Sequence, residues 1–154
     1  MKYFFEGAIS GSTMPKYTEY KGNFKFDIKE GTATVEFIDG SRFHGYFKDD
    51  QQFYGQYTWP PENRAHPNIA SKEYTGYWKG HIMQGQGIFL DKDSVQTGVF
   101  NESQLHGHGI KRFVNEEKVF KGDFSTGILH GHKSEMETDK GRYIGSVLDG
   151  EITG

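Results

Sequence analysis

The seven histidines of this chain come closest to a metal site in their type and spacing. His106 and His108 flank Gly107, and His130 and His132 repeat the arrangement 24 residues later. Alternation along a strand would place all four side chains on one face, where they could offer imidazole ligands to zinc. Strands separated by a whole repeat, however, lie about 10 Å apart. The spacing therefore favours a polar, partly exposed stripe, and we expect no metal and no other cofactor.

No other arrangement of residues indicates catalysis. The two Gly-x-Gly segments, 85–87 and 107–109, are not followed by a helix that could bind a phosphate at its N-terminus. Asp49, Asp50 and Glu62 lie in turns or loops, where a carboxylate is usually solvated. The absence of cysteine removes thiol nucleophiles and thiolate metal sites. We therefore expect no catalytic residues and a chain that is not an enzyme.

Charge and hydropathy argue against two classes of partner. The chain has 18 Lys and Arg against 21 Asp and Glu, a net charge of −3 and a pI near 6.2. This balance provides no broad positive field for nucleic acid. The densest basic groups, 111–112 and 140–142, are short, which makes direct lipid binding the weaker alternative. No segment approaches the roughly 18 apolar residues of a membrane span, and the first residues resemble no targeting signal, so we expect a cytoplasmic location.

Aromatic and glycine residues recur together along the chain. An aromatic-x-Gly triplet occurs at 5–7, 20–22, 43–45, 74–76, 120–122 and 143–145, and 96–98 is the same unit without its aromatic residue. From Gly22 onward the intervals between these glycines are 23, 31, 22, 24 and 23 residues. The chain is therefore a tandem repeat with one insertion, over residues 60–73.

Each repeat contains further fixed positions. A large apolar residue follows the first glycine by two positions, and a second glycine follows it by nine positions, or ten in the third unit. Segments such as 74–78 alternate with period two, which predicts strands, and the polar segments between them predict turns. Each unit is therefore a β-hairpin. Because one hairpin is marginally stable in water, successive hairpins must pair into a long antiparallel meander.

The aromatic side chains that share one face of these strands should line a continuous groove. The side chains predicted to form this partner-binding groove are Phe24, Phe47, Tyr74, Trp78, Phe100, Phe124 and Tyr143. Large aromatic residues in a desolvated groove are where binding energy usually concentrates. The same side chains could also simply form the core, and the pattern leaves both interpretations open.

Residues 74–89 resemble the MORN (membrane occupation and recognition nexus) repeat, whose pattern is Tyr-x-Gly-x-Trp/Phe, a polar turn, and Gly-x-Gly-x-aromatic. Residues 98–110 are similar, 22–33 and 122–131 match in part, and 145–154 stop within a unit. The resemblance implies an elongated, single-layer, twisted antiparallel sheet of six to seven units in one domain, 1–154, with a degenerate first copy around Phe5. It also implies a non-catalytic scaffold in a cytoskeletal, ciliary or membrane-associated assembly.

The sequence thus predicts a protein-interaction module that binds an extended or helical partner segment. The alternatives are a peripheral module that binds phosphoinositides and the targeting domain of a larger enzyme. The partner could instead be a second copy that pairs with the open edge of the last hairpin, and the insertion could act as a docking loop. A mitochondrial or other organellar assembly remains a further alternative to the cytoskeletal or ciliary location.

Overall fold

A computed structural model describes residues 2–3, 17–60 and 72–153, and the secondary structure of these residues is entirely β. The all-β class and the antiparallel hairpins predicted from the sequence are confirmed. The degenerate copy around Phe5 and residues 61–71 of the insertion lie outside the described residues. Among the described residues there is no helix long and apolar enough to span a membrane.

The chain divides into two compact units, Met1–Ile82 and Met83–Gly154. In the first unit each strand pairs antiparallel with the next one along the chain. The strands of this unit are β1 (Lys2–Tyr3), β2 (Tyr17–Lys25), β3 (Ile28–Phe37), β4 (Arg42–Lys48), β5 (Gln51–Thr58) and β6 (Glu73–Lys79). The prediction that residues 1–154 form a single domain stays a prediction.

The second unit repeats this arrangement with one short extra strand. Its strands are β7 (Ile82–Leu90), β8 (Ser94–Asn101), β9 (Gln104–Phe113), β10 (Lys118–Ser125), β11 (Ile128–Leu129), β12 (Gly131–Thr138), β13 (Gly141–Leu148) and β14 (Glu151–Ile152). The spatial order is β7-β8-β9-β10-β12-β13-β14, and β11 pairs with the end of β10.

Tight turns close the hairpins, and non-glycine residues adopt positive φ in them. Asp49 and Asp50 have φ values of 50° and 67°, and Glu102 and Ser103 have φ values of 50° and 65°. Positive φ at both central residues is the requirement of a type I′ turn, whose twist matches that of the flanking strands. The polar segments predicted as turns are therefore confirmed as turns.

Residues with little or no side chain face one another from strand to strand. In the first unit this glycine ladder consists of Gly22, Ala33, Gly45, Gly55 and Gly76. In the second unit it includes Gly87, Gly98, Gly109 and Gly122. A methyl group at Gly55 would lie 2.5 Å from the carbonyl oxygen of His44 and 2.8 Å from Cζ of Phe43. Neighbouring backbone and a buried ring thus occupy the space that a side chain would need.

The ladder allows the strands to bend, so that side chains on either side of it meet. Residues four apart on a flat strand are separated by about 13 Å. The ring centroids of three such pairs are instead only 5.0, 5.4 and 4.9 Å apart: Tyr20–Phe24, Phe43–Phe47 and Tyr74–Trp78. Each pair brackets a glycine of the ladder. We call the face that carries these rings the inner face.

A backbone hydrogen bond recurs between consecutive repeats. The donor is the backbone N–H of the residue five positions after a ladder glycine. The acceptor is the backbone carbonyl of the residue seven positions after the ladder glycine of the preceding repeat. These bonds join Asp50 to Lys29, Ser103 to Met83, Gly127 to Leu105, and Gly150 to Leu129, at N–O distances of 2.9–3.1 Å. The side chains of Met83, Leu105 and Leu129 are buried at the same positions. These four hairpin turns are therefore fixed to the repeats before them.

We expect Gly55→Ala to destabilise the protein by about 3 kcal/mol, because the new methyl group meets backbone atoms that cannot move aside cheaply. Chemical denaturation followed by circular dichroism measures the free energy of unfolding. The matched control is Gln56→Ala, at the neighbouring exposed position, which should change this free energy by about 0.5 kcal/mol or less. Equal effects of the two substitutions would contradict the crowding of the ladder.

Candidate binding groove

The inner face of the first unit is closed. The inner-face residues two positions from its ladder are Tyr20, Val35, Phe43, Tyr57 and Tyr74, each at most 1% exposed. The hydroxyl of Tyr74 donates to the carbonyl of Tyr77 at 3.0 Å, which satisfies the polar end of a buried side chain. This row is a core and offers no surface to a partner.

His81 covers part of this row. Its ring lies at 5.3 Å from the ring of Tyr57 and 5.8 Å from that of Phe37, both nearly edge-on. In the part of the chain that the structure describes, Nδ1 of His81 is buried without a hydrogen-bond partner. Burial lowers the pKa of His81, and the carboxylate of Asp39 acts in the opposite direction. His81 is therefore held neutral among aromatic rings.

A short hydrogen-bonded chain of hydroxyl groups lies beside His81. The hydroxyl of Tyr57 donates to Oγ of Ser41 at 2.7 Å, and Ser41 in turn donates to Oδ1 of Asp39 at 2.5 Å. Burial raises the pKa of Tyr57 to about 12. Ser41 and Tyr57 are both at most 1% exposed, so no substrate reaches them. The network satisfies buried polar groups rather than forming a catalytic site.

The structure places most of the predicted groove residues in the core. Phe47, Tyr74, Trp78, Phe100 and Phe124 are at most 5% exposed, whereas Phe24 and Tyr143 are partly exposed. Their role in partner binding stays a prediction, and the burial of five of the seven favours the alternative role in packing.

In the second unit the equivalent row is partly exposed. It contains Phe89, Gln96, Lys111, Phe120, Met136 and Tyr143. Two of its members, Gln96 and Lys111, are polar, so the row lacks the continuous ring packing of the first unit. In the repeats of the second unit, the residues equivalent to His81 are Ser103, Gly127 and Gly150. None of these residues has a ring that could cover the row. We call this row the open groove.

Four residues of β9 and β10 form a square on the inner face beside the open groove. Lys111 pairs with Phe120, and Phe113 pairs with Lys118, so that the phenyl rings occupy one diagonal and the ammonium groups the other. The two ring centroids are 5.3 Å apart. Nζ of Lys118 lies 4.8 Å from the centroid of Phe113 and 4.9 Å from that of Phe120, and Nζ of Lys111 lies 5.1 Å from that of Phe113. We call this group the Lys–Phe square.

Two open cavities, each of about 370 Å³, adjoin the Lys–Phe square. Phe113 and Glu116 line both cavities. One cavity is lined by Lys118 together with Glu117 and Glu137, and the other by Lys111 together with Gln96, Asp91 and Asp93. The square therefore lies where a bound side chain could enter from either direction.

The outer face of the first unit carries a separate aromatic cluster. Its members are Tyr46, Phe53, Tyr54 and Tyr77, which are 39–45% exposed. Tyr77 contacts Tyr54 at 4.9 Å and Phe53 at 5.8 Å between ring centroids, and Nζ of Lys48 lies 5.2 Å from the ring of Phe53. These rings are accessible, unlike those of the inner face behind them.

Two of the histidines in the second unit, His108 and His130, form equivalent pairs with acids. Nδ1 of His108 is 3.9 Å from Oδ1 of Asp123, and His130 has the same distance to Asp149. Among the described residues, no group of three or more His, Cys, Asp or Glu side chains could hold a metal ion. The paired arrangement agrees with the polar stripe expected from the spacing.

Of the eight residues of the open groove and the Lys–Phe square, only Tyr143 was among the predicted groove residues. The seven that sequence reasoning missed are Phe89, Gln96, Lys111, Phe113, Lys118, Phe120 and Met136. A signal for them existed. Gln96 and Lys111 both stand two positions from a ladder glycine, where the other repeats mostly carry an aromatic ring. Reading the column across both strands of each hairpin would have shown that its composition changes in the second half of the chain.

The MORN-repeat family model matches three segments of the chain, residues 20–42, 74–94 and 97–117. The first segment covers most of β2 and all of β3, the second covers most of β6 and all of β7, and the third covers most of β8 and all of β9. A search of curated proteins found no match.

We expect the protein to become less stable as the pH falls below about 6.5, the ordinary histidine pKa. Because the pKa of His81 is lowered in the folded state, the unfolded chain binds the proton first, and acidification favours unfolding. The measurement is the free energy of unfolding at about pH 7.5 and about pH 5.5. His81→Phe keeps a ring at this position and should reduce the difference between the two values. An unchanged difference would contradict this role of His81.

Proposed function

Because the chain belongs to the MORN-repeat family, we propose that it is a non-enzymatic protein-interaction module whose open groove binds an extended segment of a partner protein. The observation that carries the proposal is the contrast between the two inner faces. The row that is sealed in the first unit is partly exposed in the second, and it leads to the Lys–Phe square.

The dimensions of the open groove suit an extended segment. The groove crosses six strands, from Phe89 on β7 to Tyr143 on β13. Adjacent strands are about 4.8 Å apart, so the groove is about 24 Å long, which corresponds to roughly seven residues of extended chain. Partly exposed rings and the flexible side chain of Met136 can pack against varied side chains of such a segment.

The competing functions have less support. An anionic membrane surface is usually recognised by about four to eight clustered basic residues, whereas the Lys–Phe square offers two. Among the described residues, no nucleophile, base and orienting group come together in an accessible cavity. The cytoskeletal or ciliary setting follows from the resemblance alone and stays a prediction, as does binding to a second copy at the sheet edge.

Site-specific crosslinking tests the proposal. A photoreactive phenylalanine derivative at Gln96 or at Met136 should crosslink, in cells, to the same protein and to one contiguous peptide of it. The matched control is Ile144 on β13, whose side chain lies on the outer face and is exposed.

Crosslinks of equal yield from position 144, or crosslinks to lipid from positions 96 and 136, would contradict the proposal. Circular dichroism of each variant shows whether the fold is retained. Mass spectrometry also identifies which residues of the partner are crosslinked. In an extended segment, side chains two residues apart point to the same side, so one crosslinker position should label residues with this spacing.

A further inference from the structure

We infer that the Lys–Phe square binds acidic side chains of the bound segment, as a subsite for an aspartate or glutamate pair in the pattern acid-x-acid. This inference rests on the proposed function, because it assigns a chemistry to the segment that the open groove holds. The occupant is therefore an acidic stretch of a partner protein.

The first argument is that the charge of the Lys–Phe square is not neutralised by the chain itself. In the part of the chain that the structure describes, no carboxylate lies within 4.0 Å of Nζ of Lys111 or of Lys118. Both lysine residues are partly buried. Other lysines and arginines of the chain do have such partners, for example Arg142 with Glu135 at 3.1 Å.

The second argument is the composition of the surrounding inner face. The residues that pair with the square on its two sides are Ser94 and Gln96 on β8, and Met136 and Thr138 on β12. None of these residues carries a charge. Glu116 and Glu117 lie in the exposed turn that joins β9 to β10, beyond ion-pair distance of the lysines. Asp91, Asp93 and Glu137 also line the adjoining cavities, each likewise more than 4.0 Å from both ammonium groups. Among the square and the residues that pair with it, the two lysines carry the only charges.

The third argument is that the phenyl rings position the ammonium groups. A cation is attracted to a ring face within about 6 Å of its centroid, and both lysines lie within this distance of Phe113. This attraction orients an ammonium group without neutralising it. The remaining N–H donors stay available to a carboxylate, and charge-assisted hydrogen bonds of this kind are stronger than neutral ones.

The geometry also predicts the spacing of the acids. Lys111 and Lys118 occupy a diagonal of a cross-strand square, and diagonal neighbours are about 7–8 Å apart. Side chains at positions i and i+2 of an extended segment point to the same side and are about 6.8 Å apart. Two acids separated by one residue can therefore reach both ammonium groups at once.

Peptide binding to the full chain provides the test. The probe is a fluorescent peptide with Glu-x-Glu in a Gly/Ser background, and the matched peptide has Gln-x-Gln. Fluorescence anisotropy at about 50 mM salt should show affinity for the acidic peptide at least about tenfold higher than for the neutral one, and the difference should shrink at about 500 mM salt.

The variant Lys111→Gln/Lys118→Gln should lose about tenfold in affinity for the acidic peptide. The control Lys121→Gln/Lys133→Gln removes two exposed lysines from the same unit and should change the affinity less than about twofold. Melting curves of both variants verify that they are folded, and glutamine retains most of the aliphatic stem that packs on the rings.

Equal affinity for the two peptides, or equal losses in the two double variants, would overturn the inference. Lysine-dependent binding to vesicles with about 5% phosphatidylinositol 4,5-bisphosphate, without binding to the acidic peptide, would overturn it in favour of a lipid. If crosslinks from positions 96 and 136 persist unchanged in Lys111→Gln/Lys118→Gln, the interaction module stands and only the acidic subsite fails.

Discussion

The structure depends on a line of positions where side chains are missing. Along the glycine ladder, the space that a Cβ atom would take is occupied by the facing backbone and by a ring or leucine side chain of the same hairpin. Cζ of Phe43 occupies this space at Gly45 and Gly55, and Cδ1 of Leu105 occupies it at Gly98 and Gly109. The strands bend about this line, and the bend brings side chains four residues apart into contact. A single sheet can in this way bury a core without a second layer to cover it.

The same backbone produces a core in one unit and a groove in the other. In the first unit, aromatic rings fill both sides of the ladder and the ring of His81 lies over them. In the second unit, Gln96 and Lys111 interrupt the row, and small turn residues leave it partly exposed. Residues that match the repeat pattern pack in the core. Function in such a repeat therefore depends on the residues that differ from the pattern.

Much of the fold was predictable from the sequence, because its cause is local. Glycine at a fixed spacing, alternation of side chains with a period of two, and polar turn residues are sufficient to predict a hairpin such as the one at 94–113. The degree of bending was not predictable. Alternation shows that Tyr74 and Trp78 share a face, but only the close contact of their rings across Gly76 explains why both are buried.

The site was harder to predict for a related reason. Lys111 and Arg112 form a basic pair in the sequence, yet alternation separates them, so that Lys111 lies on the inner face and Arg112 is exposed. The cross-strand partners of Lys111 follow from the register between β9 and β10, which is set by the turn between them. The arrangement of Lys111 and Lys118 is thus formed by pairing between strands, and their positions in the sequence alone do not show it.

The hydrogen bonds that join four of the hairpin turns to the preceding repeat have a consequence for how such a chain can grow or shrink. A repeat that takes part donates one N–H backward and offers one carbonyl forward, so a duplication or loss of such a repeat leaves donor and acceptor matched. The hairpin of β4 and β5 departs from the common length: its ladder glycines, Gly45 and Gly55, are ten residues apart, whereas Gly98 and Gly109 are eleven apart. The strand pairing absorbs this difference by a register shift between Tyr46 and Phe47, and the series of bonds skips the carbonyl of Gln52, seven positions after Gly45. The extra residues of the 31-residue interval lie instead between β5 and β6, at the strand ends away from the turns. The turn end of a hairpin thus accommodates changes of about one residue, and the opposite end accommodates insertions.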